Sequence, residues 1–261
     1  RTSFVIVWQT IAVAFAMFSA VPVPQPVWNE KNMRYALCAF PLVGAVCALA
    51  WWGWAVASAH FSFPDLLRAA GLCLIPVFVT GGIHLDGYAD TCDALASCAS
   101  PEKKQEILKD PRCGAFALIR LCTYFIAYLG LCAAVRCTPR DALCMGLGFV
   151  LERALSGLAV AWFPLAKSTG LVHTFATAAD RLAVRRILTA LCVLLAVCLV
   201  AAGGLCGGGM VLAAVLVFVR YRRMSQKEFG GISGDLAGWF LQKTEIWMLA
   251  ALVVCQMVEE W

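Results

Sequence analysis

Eight apolar runs, near residues 4–18, 36–57, 66–80, 115–135, 142–163, 187–202, 210–219 and 246–258, constrain this chain more than any other feature. A helix needs roughly 20 apolar residues to cross a bilayer core about 30 Å thick. Several runs reach that length and others approach it. The reading is an all-α, polytopic transmembrane helical bundle of about six to eight helices, in one domain covering residues 1–261. Composition agrees: 62% of residues are hydrophobic and 14% charged, against about 45–50% and about 25% in soluble domains. There is no room for a soluble domain of useful length. The chain opens without an initiator Met and shows no cleavable leader, so a trimmed start is expected.

Charge placement orients the bundle. With eight segments, the loops after segments 1, 3, 5 and 7 carry nearly all the basic residues, from Lys31 and Arg34 through to Lys227 and Lys243. The opposite side holds only Arg1, Arg68, Arg136 and Arg140. The positive-inside rule then places the odd-numbered loops in the cytoplasm. The net charge of +5 is read as this asymmetry, and no nucleic-acid motif is present. Most of the 14 cysteines lie inside apolar runs, as small buried hydrophobes and not as a disulfide framework.

The polar motifs all fall on the basic side. In Gly81-Gly82-Ile83-His84-Leu85-Asp86-Gly87-Tyr88-Ala89-Asp90-Thr91-Cys92-Asp93, the three carboxylates are spaced i, i+4, i+7. On a helix they share one face, where like charges repel unless a cation lies against them. An all-carboxylate set suits hard ions, Mg²⁺ or Mn²⁺. Zinc through His84, Cys92 and Cys98 is a weaker reading, because their spacing matches no usual zinc pattern. Gly87 costs about 1 kcal/mol inside a helix relative to Ala, which suggests a ligand approaching the backbone.

Three further motifs join it. Ser100-Pro101-Glu102 starts a short amphipathic helix at the membrane surface. That helix ends at Lys109-Asp110-Pro111-Arg112, where Asp110 is either a local salt-bridge partner or a further metal ligand, with Lys109 or Arg112 for phosphate. Gly230-Gly231-Ile232-Ser233-Gly234-Asp235 is a glycine-rich loop opening a helix, a candidate anion nest through Gly231 and Gly234 beside Asp235. Gln242 and Glu245 follow on that helix, Glu245 at the expected membrane edge. Lys167, in Pro164-Leu165-Ala166-Lys167-Ser168-Thr169-Gly170, is a phosphate contact or a snorkelling base. Together they suit metal-assisted phosphoryl or nucleotidyl transfer.

These motifs, with Val21-Pro22-Val23-Pro24 and Phe40-Pro41-Leu42-Val43-Gly44, resemble in order and over nearly the whole chain the cobalamin (5′-phosphate) synthase family, the adenosylcobinamide-GDP ribazoletransferases. The resemblance implies a Mg²⁺-dependent enzyme of the bacterial inner membrane with its site facing the cytoplasm. Its substrates would be adenosylcobinamide-GDP and α-ribazole or α-ribazole 5′-phosphate, with GMP released. It implies Asp86, Asp90 and Asp93 as metal ligands, with Asp110 and Asp235 as further candidates. Asp235 or His84 would accept the hydroxyl proton, and Arg112 and Lys167 would bind phosphates. Lys167 stands where the family usually has Arg, and Ala94 where it commonly has Gly after the third Asp. The bilayer is the other expected partner, and a homo-oligomer is compatible with such a bundle. Two alternatives remain at this level. A CDP-alcohol-type phosphotransferase would need an Ala-Arg pair after Asp-Gly that is absent here. A cation-coupled transporter would place acids at mid-membrane, for which only Glu152 and Arg153 speak.

Overall fold

The computed structural model describes residues 2–261, so Arg1 lies outside the described residues. It contains twelve helices: α1 (Thr2–Phe18), α2 (Glu30–Met33), α3 (Ala36–His60), α4 (Asp65–Thr80), α5 (Ile83–Ala96), α6 (Pro101–Ile107), α7 (Ala115–Ala134), α8 (Pro139–Trp162), α9 (Leu171–Ala178), α10 (Arg181–Gly203), α11 (Leu205–Phe229) and α12 (Gly234–Glu259). Each of the eight apolar runs lies on a helix. Six helices, α3, α7, α8, α10, α11 and α12, are long and apolar enough to cross a membrane, and α4 with α5 is long and apolar enough only as a pair bent by 95°. The chain is a multi-pass helical bundle.

Helix α8 is its axis, buried along nearly its whole length and packed by α3, α10, α11 and α12. The outer helices turn apolar side chains outward, among them Ile126 on α7, Val197 on α10 and Leu212 on α11. In lipid such a surface has no hydration cost, and the helix satisfies its own backbone.

Two apolar runs understate their helices. The runs at 210–219 and 246–258 become helices of 25 and 26 residues. Arg220, Arg222, Arg223 and Lys227 therefore ride on the last turns of α11, and Lys243 sits inside α12 with its ammonium 5.9 Å from the Tyr88 ring centroid. The loop between the two helices shrinks to residues 230–233. Hydropathy marks only the apolar stretch, whereas helical hydrogen bonding continues until a residue such as Gly230, at φ 75°, stops it.

The two ends of the bundle differ. At one end, Arg136 pairs with Glu260 at 3.0 Å and Arg140 with Glu259 at 3.1 Å, tying the α7–α8 turn to the C-terminus. The other end gathers α2, α5, α6, α9 and the 163–170 and 230–233 loops. Here α6 starts as expected, with Ser100 capping Lys103 N–H and Pro101 in the first turn. It is fastened to the end of α11 by the Lys104–Glu228 ion pair and by Gln105 donating to the Phe229 carbonyl. The Asp motif and the motifs at 100–112, 164–170 and 230–235 lie at this end, whereas Gln242, Glu245, Glu152 and Arg153 are buried within the bundle.

Helix α5 does not continue α4. Gly81 and Gly82 both adopt left-handed φ, 69° and 81°, and the axis turns by 95°. Few side chains tolerate two such residues in succession, which explains the Gly-Gly pair. The turn lays α5 across the end of the bundle, against α12 and α7.

Candidate active site

The i, i+4, i+7 row is helical, and the first two members stand together. Asp86 and Asp90 lie on α5, and Asp235 faces them from the first turn of α12. Asp90 and Asp235 are near enough for each carboxylate to act on the other, with Asp86 near enough to act on both. This proximity depends on glycine. A Cβ on Gly87 would lie 2.7 Å from the Asp235 carbonyl oxygen, and one on Gly238 would lie 2.6 Å from that of His84. Gly87 is thus required by the α12 backbone, which takes the place of the ligand expected from sequence. Among the described residues none of the three carboxylates has a basic partner at ion-pair distance.

The two glycine-containing loops are joined to each other. Ile232 N–H donates to the Pro164 carbonyl and Ala166 N–H to the Ile232 carbonyl, both at 2.9 Å. Gly231, at φ 148°, fits because a Cβ there would come within 2.6 Å of the Ala166 nitrogen. The pairing carries Lys167 to the neighbourhood of Asp235, where its charge acts on that carboxylate. Ser233 occupies the N-cap of α12 without capping it, and its Oγ is buried with no partner. The first-turn N–H groups at Gly234 are therefore free of a side-chain cap, as an anion nest requires.

Asp86 borders two hollows. A cavity of about 370 Å³ lies on one side, with Asp86, Lys167, Ser233 and Asp235 among its lining and Phe40 and Phe175 deeper in. His84 also lines it; the imidazole is buried, 5.8 Å from the Phe40 ring, with no partner for Nδ1. Across α5, a cleft holds Asp86, Asp90, Arg112, Cys113 and Phe125.

Other residues of the expected site are placed elsewhere. The Asp93 carboxylate accepts from Gly114 N–H at 2.7 Å and Ala117 N–H at 3.1 Å. It thereby caps α7, whose own N-cap Gly114 has no side chain to do so. Asp110 is engaged by Arg112 through the backbone N–H, Nε and Nη2 at 2.9–3.0 Å. The guanidinium holds its carboxyl down to about 2. It stands as the local salt-bridge turn and outside the carboxylate cluster; Lys109 lies beside it, while Arg112 reaches the cleft. Glu245 is buried inside the bundle: it is 1% exposed, its Oε1 accepting from Tyr128 Oη at 2.7 Å. Ten residues of helix, about 15 Å, separate it from Asp235. Glu152 and Arg153 pair with each other at 2.7 Å, both fully buried. Cys92 and Cys98 are free thiols, and no described group of three His, Cys, Asp or Glu side chains stands ready to hold an ion.

Sequence reasoning missed the cap made by Asp93 and the aromatic lining of the cavity. The first had a signal: α7 begins at Gly114-Ala115 with no Ser, Thr, Asp or Asn at its N-cap, so its orphan N–H groups needed a distant acceptor.

Comparison with known proteins decides the family. The family model described as Cobalamin-5-phosphate synthase matches residues 10–253. The chain belongs to this family. Among curated relatives, the adenosylcobinamide-GDP ribazoletransferase of Lachnoclostridium phytofermentans is 41% identical over 246 residues, 94% of each chain. The enzymes of the same name from Geobacillus kaustophilus and Clostridium botulinum are 29% and 28% identical, over 95% and 90% of this chain and 98% and 93% of theirs. No solved structure matches. In family terms, the carboxylates of the central motif divide: Asp86 and Asp90 face Asp235, and Asp93 anchors α7.

Proposed function

We propose that this chain transfers the adenosylcobinamide phosphate of adenosylcobinamide-GDP to α-ribazole or α-ribazole 5′-phosphate, releasing GMP, with Mg²⁺ or Mn²⁺ as cofactor. The observation that carries this reading is the meeting of Asp86, Asp90 and Asp235 with no basic partner at ion-pair distance, near Lys167 and an uncapped helix N-terminus. The names of the relatives supply the substrates.

The donor set fits the ion. Mg²⁺ is commonly held by one or two carboxylates together with substrate phosphates and water, so a three-residue cage is not needed beforehand. Asp86 and Asp90 would hold it, with Asp235 opposite Asp90. When bound, it neutralises the charge developing on the diphosphate. The chain's own residues do the rest. Lys167 and the Gly234 end of α12 bind phosphate oxygens on one side, and Arg112 does so from the cleft. Asp235 takes the proton of the ribazole 3′-hydroxyl as its oxygen attacks the phosphorus bonded to the cobinamide arm. The P–O bond to the bridging oxygen breaks, and GMP leaves with the electron pair.

The site end belongs in the cytoplasm of a bacterium, with the bundle in the inner membrane. The concentration of Lys and Arg at that end supports this orientation. Neither alternative gains support, since Glu152 and Arg153 pair with each other at 2.7 Å.

The deciding experiment incubates the purified protein in liposomes with both substrates and follows GMP. Release should depend on a divalent ion and disappear in Asp86→Ala. Metal-independent release, or release by that variant at the wild-type rate, would refute the mechanism. For orientation, a membrane-impermeant thiol reagent on intact cells should spare the exposed Cys98 and Cys113. Their modification before lysis would reverse the topology.

A further inference from the structure

The two hollows beside Asp86 differ in a way that separates the two substrates, an inference that rests on the transferase reading above. The 370 Å³ cavity has a charged rim and an aromatic wall. Phe18, from the end of α1, has its ring centroid 4.4 Å from that of Phe40 on α3 and 5.3 Å from that of Phe175 on α9. Three distant parts of the chain thus build one wall, and none of the three rings is needed for carboxylate chemistry. Phe18 is partly exposed and meets a flat group in offset or edge-on contact, while Phe40 and Phe175, 3% and 2% exposed, pack behind it. The cavity lies at the small end of the range for small-molecule sites, about 300–1,000 Å³.

The reactants are unequal. The acceptor is a single nucleoside, an aryl base on a ribose. The donor carries a corrin macrocycle, its side chains and a guanosine, and no cavity of this size encloses it. The cleft across α5 is open, polar at Asp86, Asp90 and Arg112, and accessible to a long diphosphate.

We propose that the cavity is the acceptor subsite. The aryl base of the ribazole lies against Phe18, backed by Phe40 and Phe175, and the ribose points to the rim, presenting its 3′-hydroxyl to Asp235. The corrinoid and guanosine of the donor stay outside the cavity, and its diphosphate reaches the carboxylates and the Lys167–Gly234 rim from the cleft. Hydroxyl and phosphorus then meet at Asp86, which borders both hollows, with the bond to the GMP oxygen pointing away from the hydroxyl, as an in-line displacement needs. The wall acts on acceptor choice: it admits a flat base of limited size and excludes the corrinoid.

The test measures both Michaelis constants in liposomes for wild type, Phe175→Ala and Ser156→Leu. Phe175→Ala removes part of the wall, and Ser156→Leu adds bulk to the lining from α8. Each should raise KM for α-ribazole about ten-fold while KM for adenosylcobinamide-GDP stays within about two-fold. Ser156→Leu should discriminate less against a riboside of unsubstituted benzimidazole than against one of its dimethyl form. Because Phe175→Ala could disturb α9, equilibrium dialysis of α-ribazole against the folded wild type and Ser156→Leu gives a second reading; binding weakened about ten-fold by Ser156→Leu is expected. If wild type makes GMP yet the variants raise the donor KM, or change neither constant, the subsite assignment is wrong while the transferase reading stands. A lipid acyl chain retained by native mass spectrometry and not displaced by α-ribazole would also overturn it. No GMP from wild type with any acceptor defeats both.

Discussion

Helix α12 carries two carboxylates ten residues apart whose surroundings are opposites. Asp235, at its start, faces Asp86 and Asp90 with no basic side chain at ion-pair distance. Glu245, in its interior beside the Glu152–Arg153 pair, is 1% exposed; its Oε1 accepts from Tyr128 Oη, and its Oε2 is buried without a partner. In the apolar interior a carboxylate is costly and must find its hydrogen bonds within the protein. At the end of the bundle the acids can wait for a partner that arrives with substrate. Acidity alone therefore does not identify the site; three acids meeting at the rim of two hollows do.

The largest effect should fall on the open cluster. Asp90→Asn or Asp86→Ala should lower GMP release by about 10³-fold or more, roughly 4 kcal/mol of transition-state stabilisation. The thermal midpoint in detergent should hold or rise, since one like charge is gone. A variant that unfolds without losing activity per folded molecule would make this cluster structural and erase the contrast.

The closed cluster should respond the other way. Arg153→Met leaves Glu152 buried without its partner, which costs about 3–5 kcal/mol in comparable cases. Folded yield and thermal midpoint should fall sharply. The paired replacement Glu152→Leu with Arg153→Met should recover most of that loss, because an apolar pair of similar size needs no compensation. Failure of the rescue, with activity lost in a protein of normal stability, would move these residues into the catalytic machinery.

The same contrast explains what could be read from the sequence. Apolar runs set the helical bundle, and the i, i+4, i+7 spacing put Asp86 and Asp90 on one face. Segment parity gathered the motifs at one end. These follow from periodicity, which is local. The partners of each acid are not local. Glu245 looked functional because a carboxylate in an apolar helix is costly, yet its partner Tyr128 lies 117 residues away. Gly87 was correctly read as a point of close approach, but the approaching backbone was that of α12. The aromatic wall joins residues 18, 40 and 175, and each alone is an ordinary apolar residue of a membrane helix.

Asp93 gives the smallest effect and the sharpest division. It belongs to the acidic row by spacing and to the closed group by contact, since Gly114 N–H and Ala117 N–H both point at its carboxylate. Asn at this position keeps one carbonyl acceptor and loses the charge, so it can serve one of the two donors well. Loss of a helix cap typically costs about 1 kcal/mol, and in a chain of this size that lowers the midpoint by about 2–4 °C. Asp93→Asn should show this modest shift, with GMP release within a few-fold of wild type and the same Mg²⁺ concentration at half-maximal rate. An increased Mg²⁺ requirement at normal stability would mean that the carboxylate leaves α7 to join Asp86 and Asp90 when the ion binds. The row would then function as three, and the boundary between open and closed acids would run beyond Asp93 instead of before it.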